Sequence, residues 1–161
     1  MRKLALLFLM LCATLHAWSL TPTQKLARAI AKAEGFGVKG AIPTRYHNPG
    51  DIRASRGVRY PGQIGLNKSG YVIFKNDKAG WAALEDQIDR IAAGQSRFYT
   101  VNDTLKQLAK KYATSPTWIR NVAHNLGVTS GTNLFEILDV PPVLTTRSNP
   151  HELDFILGGV Q

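Results

Sequence analysis

"LARAIAKAEGFGVKG" (residues 26–40) decides how the chain begins to fold. Leu26, Ile30 and Glu34 are four residues apart, so on a helix they share one face. Leu26 and Ile30 mark that face as the core side, which sets a carboxylate in line with an apolar stripe. Gly35 then stops the helix, because glycine takes the left-handed conformation that closes a helix C-terminus. Upstream, Thr21-Pro22-Thr23-Gln24 reads as the start, with Thr21 as cap, Pro22 in the first turn and Gln24 as capping-box partner. A carboxyl at such a helix end suits general acid chemistry, since desolvation disfavours its ionised form. On spacing alone the blander reading weighs more: Glu34 sits at the edge of the stripe and reaches water past Gly35.

Working outward, residues 37–70 are rich in Gly, Pro, Asn and Arg and are expected to be irregular. Within them "HNPGDI" (47–52) has the chemistry of a tight turn. "IGLNKSGYVIF" (64–74) reads as a hairpin around Asn67-Lys68-Ser69-Gly70. Asn76 or Asp77 then caps a long helix that ends at Gly94, with Trp81, Leu84, Ile88 and Ile91 on its buried side. Two more helices follow, one from Thr104 to Tyr112 and one from Ser115-Pro116 to Gly127, the second carrying Trp118, Val122 and Leu126. A short helix spans Leu134 to Leu138. The tail, 143–161, is expected to hold at most a short helix, with Asn149-Pro150 as its start. The inventory predicts a mainly helical α+β domain over residues 20–142.

Residues 1–19 read as a signal peptide: Arg2 and Lys3, an apolar run from Leu4 to Leu15, and small residues in Ala17-Trp18-Ser19. The apolar run is shorter than the roughly 20 residues of a membrane span. The expected location is therefore periplasmic or secreted, with membrane contact only through this segment if it is not cleaved. Cys12, the single cysteine, lies inside it. Cleavage leaves no thiol for disulfides, nucleophilic catalysis or metal binding. His47, His124 and His151 are scattered, so neither a metal nor another cofactor is expected. The formal charge is +9, and removing Arg2 and Lys3 leaves +7. That balance favours an anionic partner, and export turns the expectation from nucleic acid toward envelope polymers.

"AIAKAEGFGVKGAIPTRYHNPGDIR", "GLNKSGYVIFKNDKAGWAAL" and "KKYATSPTWIRNVAHNLGV", in that order, resemble the lysozyme-like superfamily, in particular its lytic transglycosylases and phage endolysins. The resemblance covers roughly residues 22–140. It implies a lysozyme-like fold with a small β-hairpin beside a substrate cleft, acting as a monomer on peptidoglycan glycan strands. It further implies that Glu34 is the catalytic acid on the bond between N-acetylmuramic acid and N-acetylglucosamine. In the transglycosylase version the same carboxylate then takes the proton of the sugar's 6-hydroxyl, closing an anhydro ring. In the lysozyme version a second carboxylate takes part. Asp51 is the candidate for that second acid, although relatives carry Asn at this turn and a turn Asp has a structural use of its own.

Candidate sugar-binding residues are Tyr46, Asn48, Asp51, Gln63, Tyr71 and Tyr112, on the loop, the hairpin and the later helix expected to wall a cleft. For each of them a structural role is at least as well supported. Trp81 and Trp118 read as core residues, Asp77 and Asp103 as caps, and Glu85, Asp86 and Asp89 as a solvated helix face. Residues 99–142 can alternatively be read as a LysM-like wall-binding module, which would make the chain a non-catalytic envelope protein. "LKQLAKKYATSPTWIRNVAHNLG" also has helix-turn-helix spacing. Export argues against a nucleic-acid role for it.

Overall fold

The computed structural model describes residues 19–112 and 115–144. The expected signal segment, up to residue 18, and the expected turn at Asn149-Pro150 lie outside the described residues.

Helix α1 (Pro22–Ala33) forms as its caps predict. The Thr21 hydroxyl accepts the Gln24 N–H, and the Gln24 amide oxygen accepts the Thr21 N–H, both at 3.2 Å. The reciprocal pair satisfies two donors that a helix start otherwise leaves open. Leu26, Ala27, Ala29, Ile30 and Ala31 are buried. Glu34 is the C-cap, and Gly35 turns the chain away at φ +82°. The Phe36 N–H returns to the Ala31 carbonyl at 2.9 Å, closing the end.

The region expected to be irregular contains one short helix, α2 (Ile42–Arg45), with Pro43 buried in its first turn. Four residues are too few to show a helical period, so the pattern that reveals longer helices is absent. The hairpin follows as expected. β1 (Gln63–Leu66) pairs antiparallel with β2 (Val72–Phe74), with an irregularity between Gln63 and Gly65. Its turn is built by Asn67, whose side-chain oxygen accepts the N–H groups of Ser69 and Tyr71 at 2.9 Å.

Helix α3 (Asp77–Ala92) is capped by Asn76, which accepts the Ala79 N–H at 3.0 Å. Asp77 is therefore not the cap. It occupies the first turn, where a carboxylate favours the helix dipole, and its Oδ1 lies 2.6 Å from His47 Nδ1. Asp103 does not cap a helix either; its carboxylate accepts the Thr100 N–H and pairs with Lys111 at 2.9 Å. Trp81 is only half-buried, with its ring edge-on to Phe36 at 5.4 Å, while Leu84, Ile88 and Ile91 are buried as expected.

α4 (Leu105–Tyr112), α5 (Pro116–Leu126) and α6 (Leu134–Leu138) complete the domain. Gly127 ends α5 in the left-handed conformation. A single apolar core links Leu26 and Ile30 of α1 to Leu84 and Ile88 of α3, Leu108 of α4, Val122 of α5, Leu134 of α6 and Phe74 of β2. α1 lies at its centre, packed most extensively against α5 and then against α3 and α6. Residues 99–142 thus supply three helices to the same core as the first half. Their β pairing among the described residues is one isolated bridge, Thr104 to Asn133. No described helix is long and apolar enough to cross a membrane.

Candidate active site

Three chain segments meet at Glu34. The first is the end of α1, where the helix presents the carboxyl at the boundary between core and surface. The second is the turn 47–51. His47 and Asp51 both hold positive φ (+53° and +44°), conformations that non-glycine residues seldom adopt and that tertiary contacts must enforce. Asn48 provides much of that enforcement. It is fully buried; its Nδ2 donates to the carbonyls of Ile52 and Val72 at 2.9 Å, and its Oδ1 accepts the Ile52 N–H at 2.8 Å. Those bonds tie the turn to β2 and use the polar atoms of the side chain. Asn48 accordingly holds the turn and presents nothing to a ligand, unlike the sugar-binding role its sequence position raised.

α3 seats the same turn from below. A Cβ on Gly80 would lie 1.8 Å from the His47 carbonyl oxygen, so only glycine lets the helix backbone approach this closely. α4 and α5 supply the third segment. The Tyr112 hydroxyl donates to the Gly50 carbonyl, and the Tyr112 ring stacks on Trp118 with centroids 5.1 Å apart. Trp118 Nε1–H in turn donates to Glu34 Oε1 at 2.7 Å.

Asp51 completes the arrangement. Its charge acts on Glu34 from the turn. Among the described residues no N–H or O–H reaches its buried Oδ1. Glu34 is pushed up to about 7, by burial first and the Asp51 charge second, against the opposing Trp118 N–H bond. Burial likewise pushes Asp51 up to about 6, against the lowering effect of its bond with Glu34. Tyr112 is raised well above the phenol range, by burial first and the nearby Glu34 charge second, so it stays a donor.

The other residues raised by the sequence have partners of their own. Arg45 lies over the Tyr46 ring at 5.2 Å and donates to its hydroxyl at 3.1 Å. Arg53 lies over Tyr71 at 4.8 Å. The Gln63 side-chain oxygen accepts the Tyr60 N–H at 3.2 Å. Tyr46, Gln63 and Tyr71 make no hydrogen bond to either carboxyl. Trp118 is the functional residue that sequence reading missed, because its apolar stripe marked it as core. It is core, only 5% exposed. A buried indole still needs an acceptor for its N–H, and that requirement was the available signal.

Two shallow depressions, of about 250 and 180 Å³, lie elsewhere. The first is lined by Lys25, Arg28, Lys32 and Asn125, the second by Tyr60, Asp86 and Arg90. Neither is lined by Glu34 or Asp51. No group of three potential metal-ligating side chains occurs among the described residues.

Fold and site together define a mainly helical α+β protein with a paired-carboxyl site at a helix end. No known protein family, characterised protein or solved structure compared with the chain matches it.

Proposed function

We propose that the chain is an exported enzyme of lysozyme-like fold that cleaves the β-1,4 bond between N-acetylmuramic acid and N-acetylglucosamine in peptidoglycan. The observation that carries this reading is the state of Glu34. Its carboxyl is half-buried, fixed by the Trp118 indole N–H, and protonates near neutral pH. A general acid is most effective when its pKa lies near the working pH, and ordinary glutamates lie well below it. Glu34 protonates the glycosidic oxygen while the C1–O bond breaks through an oxocarbenium-like transition state. Trp118 keeps the carboxyl from rotating away and stabilises the carboxylate left after proton transfer.

One further feature supports an anionic substrate. Seven lysines and arginines between residues 36 and 76 are exposed, against the single acid Asp51. Such a surface concentrates an anionic wall polymer and speeds encounter with it.

The test is digestion of purified peptidoglycan by the mature protein and by Glu34→Gln, with products weighed by mass spectrometry. The wild type is expected to release disaccharide-peptide fragments and Glu34→Gln to lose about 100-fold or more of the rate, in keeping with loss of general acid catalysis. Binding of the wall by both proteins without cleavage by either would replace the enzyme with a wall-binding protein.

A further inference from the structure

We propose that the depression between α1 and α5 binds phosphate groups, at a site separate from Glu34. It has a volume of about 250 Å³ and is lined by Lys25, Arg28, Ala29 and Lys32 of α1, by Asn125 of α5, and by Leu20. The three cations are spaced three and four residues apart, so they form one row along the helix. That row is exposed, whereas Leu26 and Ile30, the row that ends at Glu34, are buried. The two rows lie on different faces of α1, which keeps the depression apart from the carboxyl site.

Its charge singles it out. α1 holds no acid between Pro22 and Ala33, so nothing on the helix offsets Lys25 near the positive end of the helix dipole. Among the described residues none of Lys25, Arg28 and Lys32 forms an ion pair. On α3 and α4, by contrast, Arg90 meets Asp86 at 2.8 Å and Lys111 meets Asp103 at 2.9 Å. Like charges at helical spacing repel, and an anion placed among them relieves the repulsion.

The lining also suits an oxyanion. Ala29 is 3% exposed and brings only a methyl group to the wall, which leaves room beside the longer side chains. Asn125 adds a neutral amide donor from α5, the helix against which α1 packs most extensively. The two sides of the depression are therefore held at a set separation. Arg28 offers a planar fork of donors, and Lys25 and Lys32 offer point charges, the two modes by which side chains hold phosphate. A carboxylate brings one charge on two oxygens. A phosphate monoester brings close to two charges on three oxygens at neutral pH, and three cations with an amide match it better.

The experiment is a titration of the full mature chain with inorganic phosphate at constant ionic strength, read from backbone amide NMR shifts, with acetate as the comparison. Phosphate is expected to give saturating shifts in residues 20–32 and at Asn125, and acetate to bind about tenfold or more weakly. Combining Lys25→Gln, Arg28→Gln and Lys32→Gln should weaken phosphate binding by about 30-fold or more, because each removes a charge-assisted bond. Combining Lys78→Gln, Lys106→Gln and Lys110→Gln removes the same charge from exposed positions elsewhere, and should change binding by no more than about twofold. Sedimentation with phosphatidylglycerol vesicles and binding of soluble poly(glycerol phosphate) then distinguish the sources of the phosphate. Capture by vesicles alone assigns a lipid headgroup, capture of the polymer alone assigns a soluble phosphate polymer, and binding of inorganic phosphate alone assigns a small phosphorylated ligand. Acetate binding as tight as phosphate overturns the inference. So do shifts that fail to saturate, spread over every basic face, or persist unchanged without Lys25, Arg28 and Lys32. No peptidoglycan enters the titration, so this inference and the glycan-cleaving reading stand or fall separately.

Discussion

Replacing Glu34 by Gln makes a prediction about stability that does not depend on any substrate. In the folded protein Glu34 is raised from 4.5 to about 7, chiefly by burial. A shift of this size corresponds to about 3 kcal/mol between the two protonation states. Glu34 is partly exposed and lies near the charge of Asp51, so solvent screening reduces the expected effect to about 2 kcal/mol. The sign follows from proton linkage. Between the unfolded value and about pH 7 the folded state holds a proton that the unfolded chain has released. The protonated carboxyl thus contributes its full stability below about pH 4, loses it as pH rises, and has none left above about pH 7. Gln resembles the protonated acid at all pH values and can still accept the Trp118 N–H. Wild type and Glu34→Gln should therefore be about equally stable at pH 4, whereas at pH 8 the variant should be more stable by about 2 kcal/mol. For a domain of this size that is a rise of roughly 8 °C in melting temperature. Thermal unfolding followed by circular dichroism at half-unit pH steps measures the difference curve, which cancels titrations common to both proteins. A difference that stays constant from pH 4 to pH 8, or a variant less stable at pH 8, would refute a desolvated Glu34.

Two other substitutions test the frame around the pair. Trp118→Phe keeps an aromatic ring against Tyr112 but removes the N–H that binds Glu34; a lost bond to a charged group of about 1.5–3 kcal/mol should lower cleavage by roughly 10- to 100-fold. The same variant should raise the Glu34 step in a carboxyl NMR pH titration, because the bond that favours its ionised form is gone. Gly80→Ala should cost about 3 kcal/mol or more in urea unfolding, or prevent folding, since its methyl group would meet the His47 carbonyl oxygen at 1.8 Å. A Gly80→Ala protein as stable as wild type would show that α3 and the turn are not pressed together.

The local elements were legible because each carries its own chemical signal. Thr21 and Gln24 cap α1, Gly35 and Gly127 close helices, Asn67 builds the hairpin turn, and the apolar periods of α3 and α5 are long enough to count. α2 escaped because four residues complete barely one turn. Cap assignment failed at Asp77, where Asn76 can cap equally well and only the contact with His47 draws Asp77 aside. Glu34 stood out because a carboxylate in an apolar stripe is locally anomalous.

The sequence by itself determined that α1 ends in a carboxyl at the core boundary and that a tight turn bearing Asp51 follows. Tertiary structure alone decided what that carboxyl meets. Trp118 is 84 residues from Glu34 and Tyr112 is 62 from Gly50, so no local period links them. The sequence allowed Asp51 to be a second acid, a sugar ligand or a turn former. Its effect on Glu34 depends on three segments folding together, with Gly80 making room, Asn48 pinning the turn and the Tyr112–Trp118 stack holding both sides. Desolvation is likewise a property of the assembled core. Leu26 and Ile30 mark the face, but only packing by α3, α4 and α5 removes the water that would otherwise keep Glu34 an ordinary acid.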